Sequence, residues 1–70
     1  METIEAYAPG TKVYVGDNIP AIISKVTIGL ALRPLYFIVW WNGREKKEDW
    51  FWSEEFKLAD IAKKMEIGFH

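Results

Sequence analysis

Cysteine is absent from the 70 residues, so neither a disulfide nor a thiolate metal site can hold this chain together. Histidine occurs once, as the final residue His70, and nucleophile–base pairs of the usual kind cannot be assembled from what remains. Carboxylates do not take their place: Glu48-Asp49 and Glu54-Glu55 are adjacent pairs, whose side chains diverge on a strand instead of meeting on one face. The expectation is a protein that is not an enzyme and needs no cofactor or metal. A basic excess is missing too. Nine Lys and Arg stand against ten Asp and Glu, giving a net charge of −1 and a pI near 5.7, whereas dedicated nucleic-acid binders usually carry pronounced positive charge. Long apolar runs are also lacking. The longest uncharged one, Leu35 to Trp41, has seven residues, and Arg33-Pro34 cuts it off from Leu30-Ala31-Leu32. A membrane helix needs about 20. The opening METIEAYAPG has two glutamates and no lysine, the opposite of a secretory n-region. A soluble cytoplasmic protein, away from the membrane, is expected.

What the chain does have is aromatic residues, at 16% of the total. A chain of this length makes one small domain, and such domains bury only about 60% of their unfolded surface. With disulfides excluded, the remaining sources of stability are an aromatic core or a partner chain. Each buried ring removes roughly 150–250 Å² from water, so a core of about ten large side chains is feasible. Seven of the eleven aromatic residues fall in one stretch, LYFIVWWNGREKKEDWFW, from Leu35 to Trp52. This stretch reads as two strands, Leu35 to Trp41 and Glu48 to Trp52, around a turn that begins at Asn42-Gly43, where both residues tolerate positive φ. Both parities of the first strand are apolar, the pattern of a central strand buried on two faces. The charged run from Arg44 to Asp49 extends and solubilises the hairpin tip.

Upstream, residues 1–9 have no clear period, and Ala8-Pro9-Gly10 is a turn signal, so the fold is expected to start after it. Thr11 to Val15 alternates as a strand, with Val13 and Val15 on one side and Lys12 and Tyr14 on the other. Ala21 to Ile28 is again β-branched. Ile22, Val26 and Ile28 share one parity while Ile23 has the other, which predicts a bulge or bend near Ser24. The segment GLALRP then ends the strand, and its leucines are expected to pack on the end of the fold. Downstream, Ser53-Glu54-Glu55-Phe56 reads as one helical turn with Ser53 as N-cap. For the remainder two patterns compete. Leu58, Ile61, Ala62, Met65 and Phe69 share a helical stripe, whereas Met65, Ile67 and Phe69 alternate as a strand does. Gly68 and β-branched Ile67 favour a short strand at residues 57–59, a turn at 60–63 and an edge strand at 64–69, with a short helix as the other reading.

In this order the elements resemble the small SH3-like barrels of the Tudor, chromo-barrel and KOW kind. The likeness rests on Gly10-Thr11-Lys12-Val13-Tyr14-Val15, on Tyr36-Phe37-Ile38-Val39-Trp40-Trp41-Asn42-Gly43, and on Trp50-Phe51 followed by Ser53-Glu54-Glu55-Phe56. It implies a mainly all-β single domain. A five-stranded barrel would span about residues 10–59, with one helical turn near 53–56 and an extension over 60–70. The tail also resembles those of small bacterial or prophage proteins. The resemblance implies that Tyr36, Ile38, Trp40, Phe51 and Phe56 point inward with Val13, Val15, Val26 and Ile28, and that Phe37, Val39, Trp41 and Trp50 point out.

Three readings of function follow. Tyr14, Trp41, Trp50 and Trp52 are candidates for an exposed aromatic surface, since aromatic faces attract cations. In the resembled barrels such a cluster takes a methylated side chain or a proline-rich peptide, so the partner expected is a protein or peptide. The plainer alternative is that these rings are core. Arg44, Lys46 and Lys47 beside Trp41 and Trp50 offer a nucleic-acid surface instead, extended by Lys12 and Lys25, although interleaved Glu45, Glu48 and Asp49 suit a merely solvated tip. The third reading is a homo-oligomer, most simply a dimer, joined through the aromatic face or an edge strand.

Overall fold

The computed structural model describes residues 2–69; Met1 and His70 lie outside the described residues. Seven strands follow one another: β1 (Glu2–Tyr7), β2 (Lys12–Val15), β3 (Ile19–Ile28), β4 (Pro34–Asn42), β5 (Glu45–Phe51), β6 (Phe56–Leu58) and β7 (Lys64–Phe69). Two 3-10 turns interrupt them, at Leu30–Leu32 and Ser53–Glu55. The architecture is mainly β, as the sequence predicts. No helix among the described residues is long and apolar enough to cross a membrane.

Strands β2 to β6 form one antiparallel sheet in the order β5-β4-β3-β2-β6. It is built by consecutive hairpins, and β6 returns to pair with β2 through Val13↔Leu58 and Val15↔Phe56. The predicted irregularity at Ser24 is present: Ile23 pairs with Ile38 and Lys25 with Phe37, leaving Ser24 as an extra residue. A slip of one residue changes the face to which every later side chain points. Ile23 before the bulge and Val26 after it therefore both reach the core. At the β4–β5 hairpin, Asn42 pairs with Glu45, so Gly43 and Arg44 alone make the turn. Gly43 has φ +65° and Arg44 does not share the left-handed region, as a glycine-first two-residue turn requires. The charged run predicted for the tip thus lies mostly within β5.

The other two strands pair with each other. β1 and β7 make an antiparallel ribbon from Glu2↔Phe69 to Tyr7↔Lys64. The edge strand predicted at residues 64–69 is confirmed over the helical alternative, and its partner β1 lies before the point at which the fold is expected to start. The alternation in β1 is weak because the inward position Ala6 is small and a poor strand former, yet Ala6 is buried. Ribbon and sheet meet in one core of Ala6, Val13, Val15, Ile23, Tyr36, Ile38 and Phe56, with Tyr7, Val26, Trp40, Phe51, Met65 and Ile67 packed against it. Tyr7, Tyr36 and Phe56 form an aromatic triangle with centroids 5.3 to 6.1 Å apart. The Tyr36 hydroxyl accepts the Tyr7 backbone N–H at 3.1 Å, and burial pushes the Tyr36 phenol up from its ordinary pKa. Thr11, also buried, donates its hydroxyl to the Ala8 carbonyl at 2.7 Å, while its own carbonyl accepts the Ile23 N–H at 3.0 Å. The molecule is elongated, 44 × 23 × 17 Å, with a radius of gyration of 12.4 Å against about 11 Å for a compact chain of this length.

Two local expectations are corrected. The helical turn is a 3-10 turn capped one residue earlier than predicted, at Trp52: the Glu55 carboxylate accepts the Trp52 N–H at 2.9 Å and the Trp52 carbonyl accepts the Glu55 N–H at 3.0 Å. The leucines between β3 and β4 do not pack on the fold, since Leu30 is 82% and Leu32 is 55% exposed.

Ile38 is fully buried at the centre of the core and Ile61 is almost fully exposed. Ile38→Ala is therefore expected to cost about 2–5 kcal/mol in urea denaturation, and Ile61→Ala less than about 0.5 kcal/mol. Equal losses would mean that the core lies elsewhere.

Candidate functional site

Residues directly opposite in an antiparallel sheet share a face, so the register defines what the sheet shows on the side away from the core. β5 contributes Lys46, Glu48 and Trp50, which stand opposite Trp41, Val39 and Phe37 of β4. β3 contributes Ile22 opposite Val39 and Lys25 opposite Phe37. β2 adds Lys12 opposite Ile22 and Tyr14 opposite Pro20, and β6 adds Lys57 opposite Tyr14. The alternation of buried Val13 and Val15 with exposed Lys12 and Tyr14 confirms the sidedness. This outward face has two halves. Over β4 and β5 it is aromatic, with Trp41 62% and Trp50 42% exposed. Over β3, β2 and β6 it is basic, with Lys25, Lys12 and Lys57 around Ile22 and Tyr14.

Three of the four predicted aromatic residues, Tyr14, Trp41 and Trp50, thus lie on one face, with Tyr14 at the far side of the sheet from the tryptophans. Trp50 packs on Phe37 with ring centroids 4.8 Å apart at 51°, and the Lys25 ammonium stands 5.5 Å from the Phe37 centroid. Trp52 does not join them. It sits past the end of β5, half-buried, with its ring so close to Gly29 that a Cβ there would meet Cη2 at 2.7 Å. The Arg33 guanidinium covers it at 4.7 Å from the ring centroid. Nη2 of Arg33 in turn contacts both carboxylate oxygens of Glu54, Oε1 at 2.6 Å, and this holds the Glu54 carboxyl below its ordinary pKa. Trp52 is thus part of the clamp that fixes the β3–β4 loop, in which Ala31 and Leu32 adopt left-handed φ of 58° and 57°. Such residues cost of order 1–3 kcal/mol each and persist only where their surroundings hold them.

The predicted cations Arg44, Lys46 and Lys47 are not brought together. Arg44 is in the turn, Lys46 is on the outward face and 3.9 Å from Glu48, and Lys47 has the opposite parity, beside Trp40, in an ion pair with Glu45 at 3.0 Å. Lys12 and Lys25, considered as extensions of that patch, are instead in the basic half. Lys57 was missed, and only its pairing with Tyr14 across distant strands reveals it. A cavity of about 220 Å³ was missed as well; it lies between the ribbon and the sheet and is lined by Glu5, Tyr7, Pro34, Tyr36, Ser53 and Lys64 among others. A Lys64–Glu5 ion pair of 3.0 Å stands at this cavity and raises the Lys64 pKa. Among the described residues no three His, Cys, Asp or Glu side chains are grouped as metal ligands.

Comparison with known proteins gave no match: no family model, no curated protein and no solved structure is significantly similar to this chain.

Two measurements probe the clamp. Gly29→Ala is expected to displace the Trp52 ring, costing about 1–3 kcal/mol and shifting Trp52 emission; unchanged emission and stability would refute the close contact. Because the Glu54 pKa is lowered in the fold, its pairing with Arg33 is complete above the ordinary glutamate pKa and is lost as pH falls through the lowered value. Trp52 emission should follow that acid transition in the native protein and lose it in Glu54→Gln.

Proposed function

We propose that this chain is a small, non-enzymatic binding module of SH3-like type, working in the cytoplasm, that docks a protein or peptide on the outward face of its five-stranded sheet. The strand order supports the SH3-like reading. The resemblance implies a short strand, a bent strand, an aromatic strand, a hairpin, a further strand and one helical turn before a closing segment, and the succession β2, bulged β3, β4, β5, 3-10 turn and β6 agrees with it.

One observation carries the functional part. On a domain that had few large side chains to spare for its core, Trp41 and Trp50 remain open to solvent on the same face as Tyr14, Ile22, Phe37 and Val39. Leaving such rings partly in water forgoes a share of the roughly 1.5–3 kcal/mol that full burial of a large apolar side chain gives. A partner that covers them recovers this, and exposed tryptophans on rigid strands are the residues that most often dominate binding energy.

Light scattering over a range of concentrations, with iodide quenching of tryptophan fluorescence, tests the reading. A monomer in which Trp41 is readily quenched, Trp50 partly, and Trp40 and Trp52 little is the expected result. A dimer with every tryptophan protected would assign the face to contact between copies and overturn the proposal. Against a partner once found, Trp41→Ala should keep the fold and weaken binding by about 2 kcal/mol, or about thirtyfold.

A further inference from the structure

We infer that the partner presents an acidic segment in extended conformation, its carboxylates over Lys12, Lys25 and Lys57 and an apolar anchor over Trp41 and Trp50. This rests on the reading of the outward face as a docking surface and goes further by assigning the chemistry of what docks. The outward side chains of the sheet include four lysines, Lys12, Lys25, Lys46 and Lys57, and one carboxylate, Glu48. The chain as a whole is net −1, so this positive charge is collected on one face and is not a property of the composition. Among the described residues, Lys12, Lys25 and Lys57 form no ion pair, whereas Lys46, Lys47 and Lys64 each do. The three unpaired ammonium groups lie on β2, β3 and β6, and the exposed rings on β4 and β5. A ligand that satisfies both halves has carboxylates at one end and an apolar group at the other, and complementary charge of this kind sets register and on-rate.

Single-stranded nucleic acid fits the face less well. Its bases would stack on exposed rings with phosphates alongside, but Trp41 and the Phe37–Trp50 pair are two outward positions apart, roughly 13 Å along the strand. Between them on β5 stands Glu48, whose carboxylate would face the phosphates. Phe37 already has Trp50 and Lys25 against it. An extended peptide spans the same distance in about four residues and can place its acidic side chains away from Glu48.

The test uses fluorescence anisotropy with three labelled probes: a peptide with a leucine block followed by a glutamate block, its leucine–glutamine counterpart, and oligo(dT) of similar length. The leucine–glutamate peptide should bind at least about tenfold more tightly than the leucine–glutamine one, with affinity falling as salt rises. Lys12→Glu combined with Lys25→Glu, checked by circular dichroism for retained fold, should remove that difference. Arg44→Glu combined with Lys63→Glu makes the same change in charge off the face and should leave it intact. Equal binding of the two peptides would overturn the acidic assignment while leaving a docking face. Tighter binding of oligo(dT) would assign the face to nucleic acid, and equal loss in both double variants would reduce the effect to net charge. Failure of every probe to bind also overturns the assignment, and the quenching and scattering results then judge the docking face separately.

Discussion

Because β3 holds one residue more than β4 between Ile23 and Lys25, the two halves of that strand present opposite parities to the same core. Ile23 and Val26 are three positions apart and would lie on opposite faces of a regular strand. With Ser24 as the extra residue, both reach the core, where they face Ile38 and Tyr36. The same shift puts Lys25 rather than Val26 outward, beside Phe37 and Trp50. The inward place of Val26 and the outward place of Lys25 therefore share one cause. Regular pairing with Ser24 kept in the ladder would turn Lys25 toward the core and Val26 outward, whereas deleting Ser24 would leave Ile23 and Val26 inward and Lys25 outward on an unbulged strand.

Much of this was legible in the sequence because it was local. The parity conflict between Ile23 and its neighbours announced the bulge, Asn42-Gly43 announced the hairpin, and the alternation at Met65, Ile67 and Phe69 announced β7. What could not be read depended on partners distant along the chain. β1 looks unpatterned by itself, and its hydrogen-bonding partner begins 57 residues after it ends. Trp52 has the composition of a binding residue, and only the absence of a side chain at Gly29, together with Arg33 and Glu54, makes it structural. The basic half could not be assembled from the sequence for the same reason, although Lys12 and Lys25 were singled out there. Lys12, Lys25 and Lys57 sit on three strands, while the cations that are neighbours in sequence, Lys46 and Lys47, point to opposite faces and are paired with glutamates.

The sheet handles its two edges differently. β6 is only three residues long, whereas β5 has seven and no neighbour on its outer side. Five of those seven are charged, Glu45 to Asp49, with Lys46–Glu48 and Lys47–Glu45 pairing on the two faces. Long flat edges invite other strands, and charged side chains along the edge are a common guard against it. The run that reads as a solubilising tip is thus better understood as protection of an edge, which leaves the outward face as the open apolar surface of the sheet.

The ribbon of β1 and β7 brings residues from the two ends of the described chain side by side, Glu2 opposite Phe69. Closing so long a loop costs more chain entropy than the local hairpins β2–β3, β3–β4 and β4–β5 do, a cost that grows with the logarithm of loop length and is shared with the β2–β6 pairing. The ribbon is held to the sheet by Ala6, the Tyr7–Tyr36 hydrogen bond and the packing of Met65 and Ile67. Opening it would uncover the side of Tyr36 and Phe56 that it shelters without dismantling the meander beneath. Native-state amide exchange would register this as a second, lower free energy confined to residues 2–7 and 64–69.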